Sequence, residues 1–319
     1  MDLDDFEKSL VDNLKTGFTY EDVCEDLDVS QGTVRKYLDV LREKGVEISE
    51  RRLKQGRKYF SIDEDVENTY SVNSGNDYRI GVVSDTHLGS EGEQLEYLND
   101  FYNRLVKNDV DFVLHAGDVS DGCEIYRGHE NHKIPEAIGW RRLEDYLVSN
   151  YPEVDEFKTL MISGNHDTRL FKKTGIRFVE RVAERRKDLE YLGQEFASLD
   201  LNDEFSIDLV HPGGGSPYTL GYRAQTWLRN KKDSEKADMT VFGHLHQLLA
   251  GETEGSFILY AGSWQGQTPY LDRKGIKTDA GGWIVELNLE DKLSRIKTEL
   301  FQYELGSEKK QVEELLVDG

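Results

Sequence analysis

The chain has 319 residues, of which 37% are hydrophobic and 10% aromatic, and its formal net charge at pH 7 is −22. A chain of this length and hydrophobicity can bury the core of one large and one small domain, which excludes global disorder. The negative charge argues against nonspecific binding of nucleic acid by the whole surface, because that surface repels phosphates.

Secretion and membrane insertion are not predicted. No apolar run approaches the roughly 18 residues that span a bilayer, and residues 1–5 are acidic, unlike the start of a signal peptide. Cys24 and Cys123 are the only cysteines, too few for a disulfide framework or a thiolate metal site. We expect a cytoplasmic protein with no membrane partner, and the sequence leaves its oligomeric state open.

Residues 1–65 have the pattern of a small helical domain followed by a hairpin. Hydrophobic periodicity predicts three helices, the third capped by Ser30 and ending at Lys44. The segments 46–53 and 57–62 can pair as two antiparallel strands.

This N-terminal domain resembles a winged helix-turn-helix domain, and the stretch from Asp28 to Leu38 carries the likeness. Domains of this class place the third helix in the major groove of DNA. Residues 35–58 contain nine Lys and Arg against four Asp and Glu, a local net charge of +5. A protein contact or a purely architectural role is the alternative. The side chains predicted to contact DNA are Gln31, Thr33, Arg35, Lys36 and Arg42.

The rest of the chain is predicted to be a layered α/β domain with short flanking segments. Residues 66–77 are polar and turn-rich and are predicted to be a linker, and residues 306–319 are predicted to be an acidic tail. Between 78 and 305, apolar runs alternate with helical patterns. The runs predicted to be strands are 80–83, 110–114, 159–162, 207–210, 239–242 and 257–260.

Each of the first five runs is followed directly by a segment that carries metal-ligand side chains. Carboxylate, amide and imidazole groups suit divalent ions such as Mn²⁺, Fe²⁺, Zn²⁺ or Ni²⁺. Two such ions, about 3.5–4 Å apart, turn a shared water into hydroxide and clamp a phosphate for in-line attack. The five segments are Asp85-Thr86-His87, Gly117–Asp121, Gly164–Asp167, His211 and Gly243–His246.

Residues 78–305 resemble the calcineurin-like metallophosphoesterases, because all five segments stand in that family's order. The resemblance implies a β-sandwich flanked by helices and two divalent ions, with Mn²⁺ expected. The stretch from Ser84 to Gly89 is similar to the first block of the family's double-strand-break repair nucleases. The implied ligands are Asp85, His87 and His246 for one ion, Asn165, His211 and His244 for the other, and Asp118 as the bridge.

The resemblance also implies roles beside the ligands. His166 is the expected general acid, and the carboxylate of Asp121, or else Asp167, is expected to hold its ring and raise its pKa. Arg169 is expected either to contact a phosphate oxygen or to pair with a nearby acid. His129 and His132 lie in a polar insertion after Asp121, as surface residues or as substrate contacts.

The substrate is the open question, and local charge favours DNA. Residues 169–187 contain eight Lys and Arg against two Glu. Arg177, Arg181 and Arg185 recur at i, i+4 spacing and could follow a DNA backbone from one helix face. The predicted function is therefore a nuclease-like phosphodiesterase. The alternative is a phosphomonoesterase or nucleotide phosphodiesterase with a regulatory or protein-binding N-terminal domain, in which the basic run only balances neighbouring acids.

Overall fold

The contacts between Cα atoms divide the chain into two units, residues 1–67 and 68–319. Each unit has a hydrophobic core of its own. The computed structural model describes residues 5–16, 18–20, 23–24, 27, 29–46, 48–52, 58–61, 69–71, 75–126, 128–202, 205–214, 219–233, 236–290, 293–304 and 313–317.

Within the described residues, the first unit contains two long helices and a small antiparallel sheet. The helices are α1 (Asp5–Thr16) and α2 (Gln31–Glu43), and the strands are β1 (Phe18–Thr19), β2 (Ser49–Arg52) and β3 (Lys58–Ser61). The strand order is β1-β3-β2. The tip of the predicted hairpin, 53–57, lies outside the described residues, and the winged helix-turn-helix class of this unit stays a prediction.

The helix α2 begins at the predicted residue. The Ser30 side chain accepts a hydrogen bond from the Thr33 N–H at 3.2 Å, which satisfies one of the free donors of the first turn. Apolar residues at helical spacing, Val34, Leu38 and Leu41, are buried against α1 residues such as Leu10. The opposite face of α2 is left exposed.

The second unit is built on two sheets and several helices. Its helices are α3 (Leu95–Lys107), α4 (Trp140–Asn150), α5 (Asn165–Thr174), α6 (Phe178–Glu184), α7 (Tyr222–Arg229) and α8 (Pro269–Lys274). Short 3₁₀ turns cover His129–His132 and Pro135–Ala137. None of the helices in the described ranges is long and apolar enough to cross a membrane.

The strands of this unit pair in two sheets. They are β4 (Thr69–Ser71), β5 (Asp77–Val83), β6 (Phe112–His115), β7 (Lys158–Ser163), β8 (Leu189–Gln194), β9 (Phe196–Asn202), β10 (Phe205–Val210), β11 (Met239–Phe242), β12 (Leu248–Thr253), β13 (Ser256–Ala261), β14 (Ala280–Glu290), β15 (Leu293–Tyr303) and β16 (Glu313–Val317). The six-stranded sheet has the order β12-β13-β11-β10-β9-β4. The seven-stranded sheet has the order β16-β15-β14-β5-β6-β7-β8.

The two sheets pack face to face, and helices cover their outer faces. Side chains alternate along each strand, so that Leu114 and Leu209 point into the core between the sheets. Their neighbours Val113 and Val210 point outward, where Val113 joins a cluster with α3, α4 and α6, and Val210 joins one with α7. The layers are therefore helix, sheet, sheet and helix, which confirms the predicted α/β sandwich.

Strand direction brings the ligand-bearing segments together. In the seven-stranded sheet, β5, β6, β7 and β8 are parallel to one another. In the six-stranded sheet, β10, β11 and β13 are parallel. The carboxyl ends of parallel strands lie at the same edge of a sheet, so the loops after them are neighbours.

Two segments differ from the sequence prediction. The predicted linker, 66–77, contributes β4, which pairs with β9, and its last residue begins β5. The predicted tail, 306–319, contributes β16, which pairs with β15. Both segments are polar overall, but each holds a short stretch that can extend a sheet by main-chain hydrogen bonds.

Candidate metal centre and active site

The five ligand-bearing segments meet at one edge of the sandwich. They follow β5, β6 and β7 in one sheet and β10 and β11 in the other. Backbone bonds join the loops: the Asp85 N–H donates to the Gly117 carbonyl at 2.9 Å, and the Gly243 N–H donates to the Val210 carbonyl at 2.9 Å. Strands from both sheets therefore position one common site.

Asp85, His87 and His246 form the first cluster of candidate ligands, with donor atoms within 4.8 Å of one another. The Nε2 atoms of His87 and His246 are 3.1 Å apart and lie 3.7 Å and 3.3 Å from Asp85 Oδ1. That buried oxygen accepts no hydrogen bond from the described residues. A buried carboxylate oxygen without a donor, facing two imidazole nitrogens, fits a divalent cation.

Asp118, His211 and His244 form the second cluster, again with donor atoms within 4.8 Å. His211 Nε2 lies 3.2 Å from Asp118 Oδ2 and 3.2 Å from Asn165 Oδ1. Asp118 Oδ2 also lies 3.8 Å from His87 Nε2 in the first cluster. This oxygen therefore stands between the clusters, where a bridging ligand belongs, and the bridging role stays a prediction.

Backbone carbonyls determine which ring nitrogen of His211 and of His244 carries the hydrogen and which is left for the second cluster. His211 Nδ1 lies 2.7 Å from the Ala116 carbonyl oxygen, so Nδ1 carries the hydrogen and Nε2 is left for a metal. His244 Nε2 lies 2.5 Å from the Gly214 carbonyl oxygen, which leaves Nδ1. Metal-binding histidines commonly donate their second ring N–H in this way, so both rings fit the proposed ions.

The charge of the site also fits cations. Burial alone would lower the pKa of His87 and His211, but the carboxylates of Asp121 and Asp85 act on His87, and that of Asp118 acts on His211. They raise both pKa values to about 10. Both imidazoles are therefore protonated at neutral pH, and divalent ions can replace these protons.

The ligand loops contain strained backbone. A non-glycine residue in the left-handed region costs on the order of 1–3 kcal/mol. Glycines in the same loops allow close approach: a Cβ on Gly164 would lie 2.2 Å from Asp118 Oδ1, and one on Gly243 would lie 2.2 Å from the Ala116 oxygen. The strained ligands and their φ angles are Asp85 (51°), His87 (43°), Asp118 (50°), His244 (71°) and His246 (52°).

His166 lies beside the first cluster, with its ring 4.6 Å from that of His87. Its Nδ1 lies 3.0 Å from the backbone oxygen of Asp121, whereas the Asp121 carboxylate is 3.9 Å away. Burial lowers the pKa of His166 to about 4, although the charge of Asp118 opposes this. The expected raised pKa is therefore wrong, because the Asp121 contact is a carbonyl and desolvation dominates.

The Asp121 carboxylate instead faces His129, a residue to which the sequence assigned no definite role. His129 is buried, and its Nε2 lies 2.8 Å from Asp121 Oδ2. Burial alone would raise the pKa of Asp121, but the imidazoles of His129 and His87 hold it well below its usual value. The expectation of a surface histidine is thus wrong for His129, because the insertion folds back over Asp121. His132 lines the cleft beside the site.

Asp167 supports the loop of the bridging candidate. Its carboxylate accepts hydrogen bonds from the N–H groups of Val119, Ser120 and Gly164, at 2.9–3.0 Å. Burial and the nearby charge of Asp118 raise the pKa of Asp167 to about 6. These contacts are with the backbone of the ligand loops, so Asp167 positions those loops and does not hold His166.

The arginines after the His166 segment have partners within the protein. Arg169 Nε donates to the Glu124 carbonyl oxygen at 2.9 Å. Arg181 Nε lies 3.1 Å from Glu144 Oε2, and Arg185 Nη1 lies 3.0 Å from Glu144 Oε1. Arg185 also contacts Asp145, at 2.8 Å. The DNA-contact role of Arg181 and Arg185 stays a prediction, and these ion pairs weaken it.

Arg177 is the N-cap of α6, and its carbonyl oxygen accepts the Arg181 N–H at 3.1 Å, one helical turn along. It stands before the first residue of α6, and its guanidinium lies 5.9 Å from the centre of the Phe171 ring. The preceding helix, α5, ends before Arg177, with Gly175 in the left-handed conformation as its C-cap. The side chains of Lys172 and Lys173 lie outside the described residues.

The predicted DNA-contact residues of the first unit lie on α2. Gln31, Arg35, Lys36 and Arg42 are exposed. Thr33 is half-buried, and its hydroxyl lies 3.0 Å from the Ser30 hydroxyl at the helix start. Arg42 pairs with Asp39 at 3.2 Å. Four of the five residues are therefore exposed, and their role in DNA contact stays a prediction.

Both ligand clusters open into one cleft of about 220 Å³. His87, Asp118, His166 and His246 line one part of it. Gln265, which the sequence did not single out, also lines the cleft, and its Nε2 lies 3.4 Å from Asp121 Oδ1. The site can thus admit a small substrate group to both clusters at once.

Comparison with known proteins agrees with this geometry. The model of the calcineurin-like phosphoesterase superfamily domain matches residues 78–276, more than half of the chain. The chain belongs to this superfamily. The prediction of a metal-dependent phosphoesterase, a hydrolase of phosphate esters, is thereby confirmed.

Individual relatives of this phosphoesterase are more distant. The chain is 25% identical to the DNA polymerase II small subunit of Archaeoglobus fulgidus over an alignment of 259 residues, which covers 66% of the chain and 51% of that protein. The chain therefore spans about half the length of this curated relative.

Two solved structures are distant matches. An archaeal phosphodiesterase is 16% identical, with a TM-score of 0.38, over 69% of this chain and 99% of that one. Vacuolar protein sorting 29 from Cryptosporidium parvum is 16% identical, with a TM-score of 0.42, over 76% of this chain and all (100%) of that one. At these scores neither match supports an inference about substrate.

Metal binding should release protons. His87 and His211, with pKa values of about 10, must become neutral to bind an ion. We expect the uptake of Mn²⁺ at pH 7.5 to release about two protons, and the apparent affinity to fall as pH falls below 10. Calorimetric titration in buffers of different protonation enthalpy measures this number. The His132→Ala variant should release the same number, and uptake without proton release would contradict the assignment.

Proposed function

We propose that this phosphoesterase uses two divalent ions, of which Mn²⁺ is the expected one, to hydrolyse phosphodiester bonds of DNA. The observation that carries the hydrolytic part is the pair of ligand clusters on either side of Asp118 Oδ2, both open to one cleft. When bound, the ions supply the positive charge that acidifies a water and stabilises phosphate oxygens. Asp85, His87 and His246 would hold one ion, and Asn165, His211 and His244 the other.

His166 is proposed to protonate the leaving oxygen. Donation from Nδ1 to the Asp121 carbonyl leaves Nε2 as the nitrogen that exchanges a proton in the cleft. Without substrate, burial keeps the pKa of His166 at about 4, so the ring is neutral. A bound phosphate brings negative charge next to the ring and raises that pKa. With the raised pKa, Nε2 takes up a proton from solvent in the enzyme–substrate complex and then transfers it to the leaving oxygen.

The choice of DNA rests on the first unit and on one relative. The exposed face of α2 presents Gln31, Arg35 and Lys36, which suit contacts to base edges and phosphates. The name of the Archaeoglobus relative refers to a DNA polymerase subunit, which supports a DNA-related substrate. Arg169, Arg177, Arg181 and Arg185 are secondary candidates, because most of them already contact groups of the protein.

A second candidate function is hydrolysis of phosphomonoesters or nucleotide phosphodiesters, with a regulatory or protein-binding first unit. The ion pairs of Glu144 with Arg181 and Arg185 favour this second function, because they engage two of the arginines that were predicted to contact DNA. The net charge of −22 also opposes binding of a long polyanion away from local basic patches.

Substrate choice can be tested directly. With Mn²⁺, we expect cleavage of single- or double-stranded DNA and of bis-p-nitrophenyl phosphate, with slower hydrolysis of p-nitrophenyl phosphate. Asp118→Asn should abolish all of these activities, because it removes the negative charge of the carboxylate that faces both clusters. Hydrolysis of the small esters without any DNA cleavage across a series of salt concentrations would favour the second candidate.

The effect of His166→Ala on kcat should depend on the leaving group. General acid catalysis contributes about 10²–10⁴-fold when the leaving oxygen is basic, and little when it is nitrophenolate. We expect kcat to fall by at least about 100-fold for a nucleoside leaving group and only slightly for a p-nitrophenyl ester. His132→Ala, which alters another histidine of the cleft, should not show this contrast. Equal losses on both substrates would exclude the general-acid role.

The α2 face should carry the electrostatic part of DNA binding. Lys36→Ala should weaken binding to all sequences and lower the slope of log K against log salt by about 1. Arg185→Ala should leave this slope unchanged, because its guanidinium already pairs with Glu144 and Asp145. Fluorescence anisotropy across a salt series measures both. If Arg185→Ala lowered the slope and Lys36→Ala did not, the DNA contact would instead lie at α6.

A further inference from the structure

The cleft has two chemically different parts. One part is lined by the ligand clusters and His166, whereas the other is aromatic and apolar. Tyr126 and Tyr270 stand in the second part, and both are half-buried. The neighbouring apolar side chains of this part are Ile125, Leu271 and Ile276.

Tyr126 and Tyr270 stack on each other. Their ring centres are 4.7 Å apart and their planes differ by 11°, so the two rings are stacked in parallel and each covers one face of the other; the pair is called here the tyrosine wall. Tyr126 comes from the insertion after Asp121, and Tyr270 from the first turn of α8, which begins with the Thr268 cap and Pro269. Two segments far apart in sequence thus meet to form one surface of the cleft.

The tyrosine wall is close to the reacting groups. The Tyr126 ring lies 4.8 Å from the His129 ring, and the His129 ring lies 6.2 Å from that of His166. The Tyr126 ring therefore lies within about 11 Å of the His166 ring, in the same cleft that a phosphate at the ligand clusters would occupy. A group that is joined to that phosphate and is planar and apolar would reach it.

We propose that Tyr126 and Tyr270 form a stacking subsite for the nucleobase next to the scissile phosphate, in a strand that is unpaired at that position. The proposal rests on the proposed phosphodiesterase function and specifies its substrate. Aromatic side chains stack on any base, because every base has a π-face. The cleft has a volume of about 220 Å³, and a base that enters it to stack on the tyrosine wall must be unpaired. A phosphoserine residue has no planar group for this surface.

The test compares substrates with and without bases. The dinucleotide dTpdT has one phosphodiester bond, and its abasic analogue has the same bond between two sugars that lack bases. Loss of one stacking contact costs roughly 5–150-fold in affinity. We expect wild-type kcat/KM to be about 10–100-fold higher for dTpdT than for the analogue. In Tyr270→Ala the two values should be nearly equal.

Two further variants isolate stacking from folding. Tyr270→Phe keeps the ring and should keep the preference for dTpdT. Tyr222→Ala removes a tyrosine that is 57% exposed and does not line the cleft, and it should also keep the preference. Unchanged Mn²⁺ affinity of Tyr270→Ala shows that the metal centre is intact.

The outcomes separate this proposal from the function on which it rests. If wild type hydrolyses bis-p-nitrophenyl phosphate but neither dinucleotide nor DNA, both the proposed function and the subsite are wrong. If wild type cleaves both dinucleotides and Tyr270→Ala keeps the wild-type preference, the subsite alone is wrong. Equal wild-type values for the two dinucleotides would likewise overturn the subsite.

Discussion

The candidate metal centre depends on the burial of Asp85, Asp118 and Asp121 at one edge of the sandwich. Burying a carboxylate without compensation costs several kcal/mol. The fold offsets this cost with backbone donors: Asp85 Oδ2 accepts from the His244 N–H, and Asp118 Oδ1 from the His166 N–H, both at 2.8 Å. Other carboxylate oxygens face imidazoles, so this edge needs cations, either protons on histidine or metal ions. The same buried carboxylates therefore require compensation in the folded protein and attract the metal ions.

The sandwich supplies the rigidity that such a site requires. Strained ligands such as Asp85 and His87 keep their left-handed conformation only because the strands before them are packed on both faces. Asp167 adds local support by binding three backbone N–H groups of the ligand loops. Loss of either support would let the loops relax, and the carboxylates would separate from the imidazoles.

The sequence could predict which side chains meet at this site, because the candidate ligands occupy fixed positions directly after apolar runs that form strands. The role of His129 could not, since it depends on how the insertion folds over Asp121. Helical spacing predicted a common face for Arg181 and Arg185 but not the Glu144 of α4 that pairs with both. The sign of the His166 pKa shift also required structure, because burial outweighs the neighbouring charges. Short strands such as β4 are too polar to be recognised by periodicity.

In the proposed function, a protein of charge −22 recognises a polyanion, and this recognition must rely on short-range interactions. Coulomb repulsion from the whole surface is screened beyond about 8 Å at physiological ionic strength, so a local basic face such as the one proposed on α2 can still bind phosphates. The proposed stacking on Tyr126 and Tyr270 would be independent of net charge and would add affinity next to the reacting phosphate. In the proposed mechanism, His166 would become an acid only when that phosphate is in place, because its own surroundings keep it neutral. Recognition and catalysis would then be coupled through the charge of the substrate.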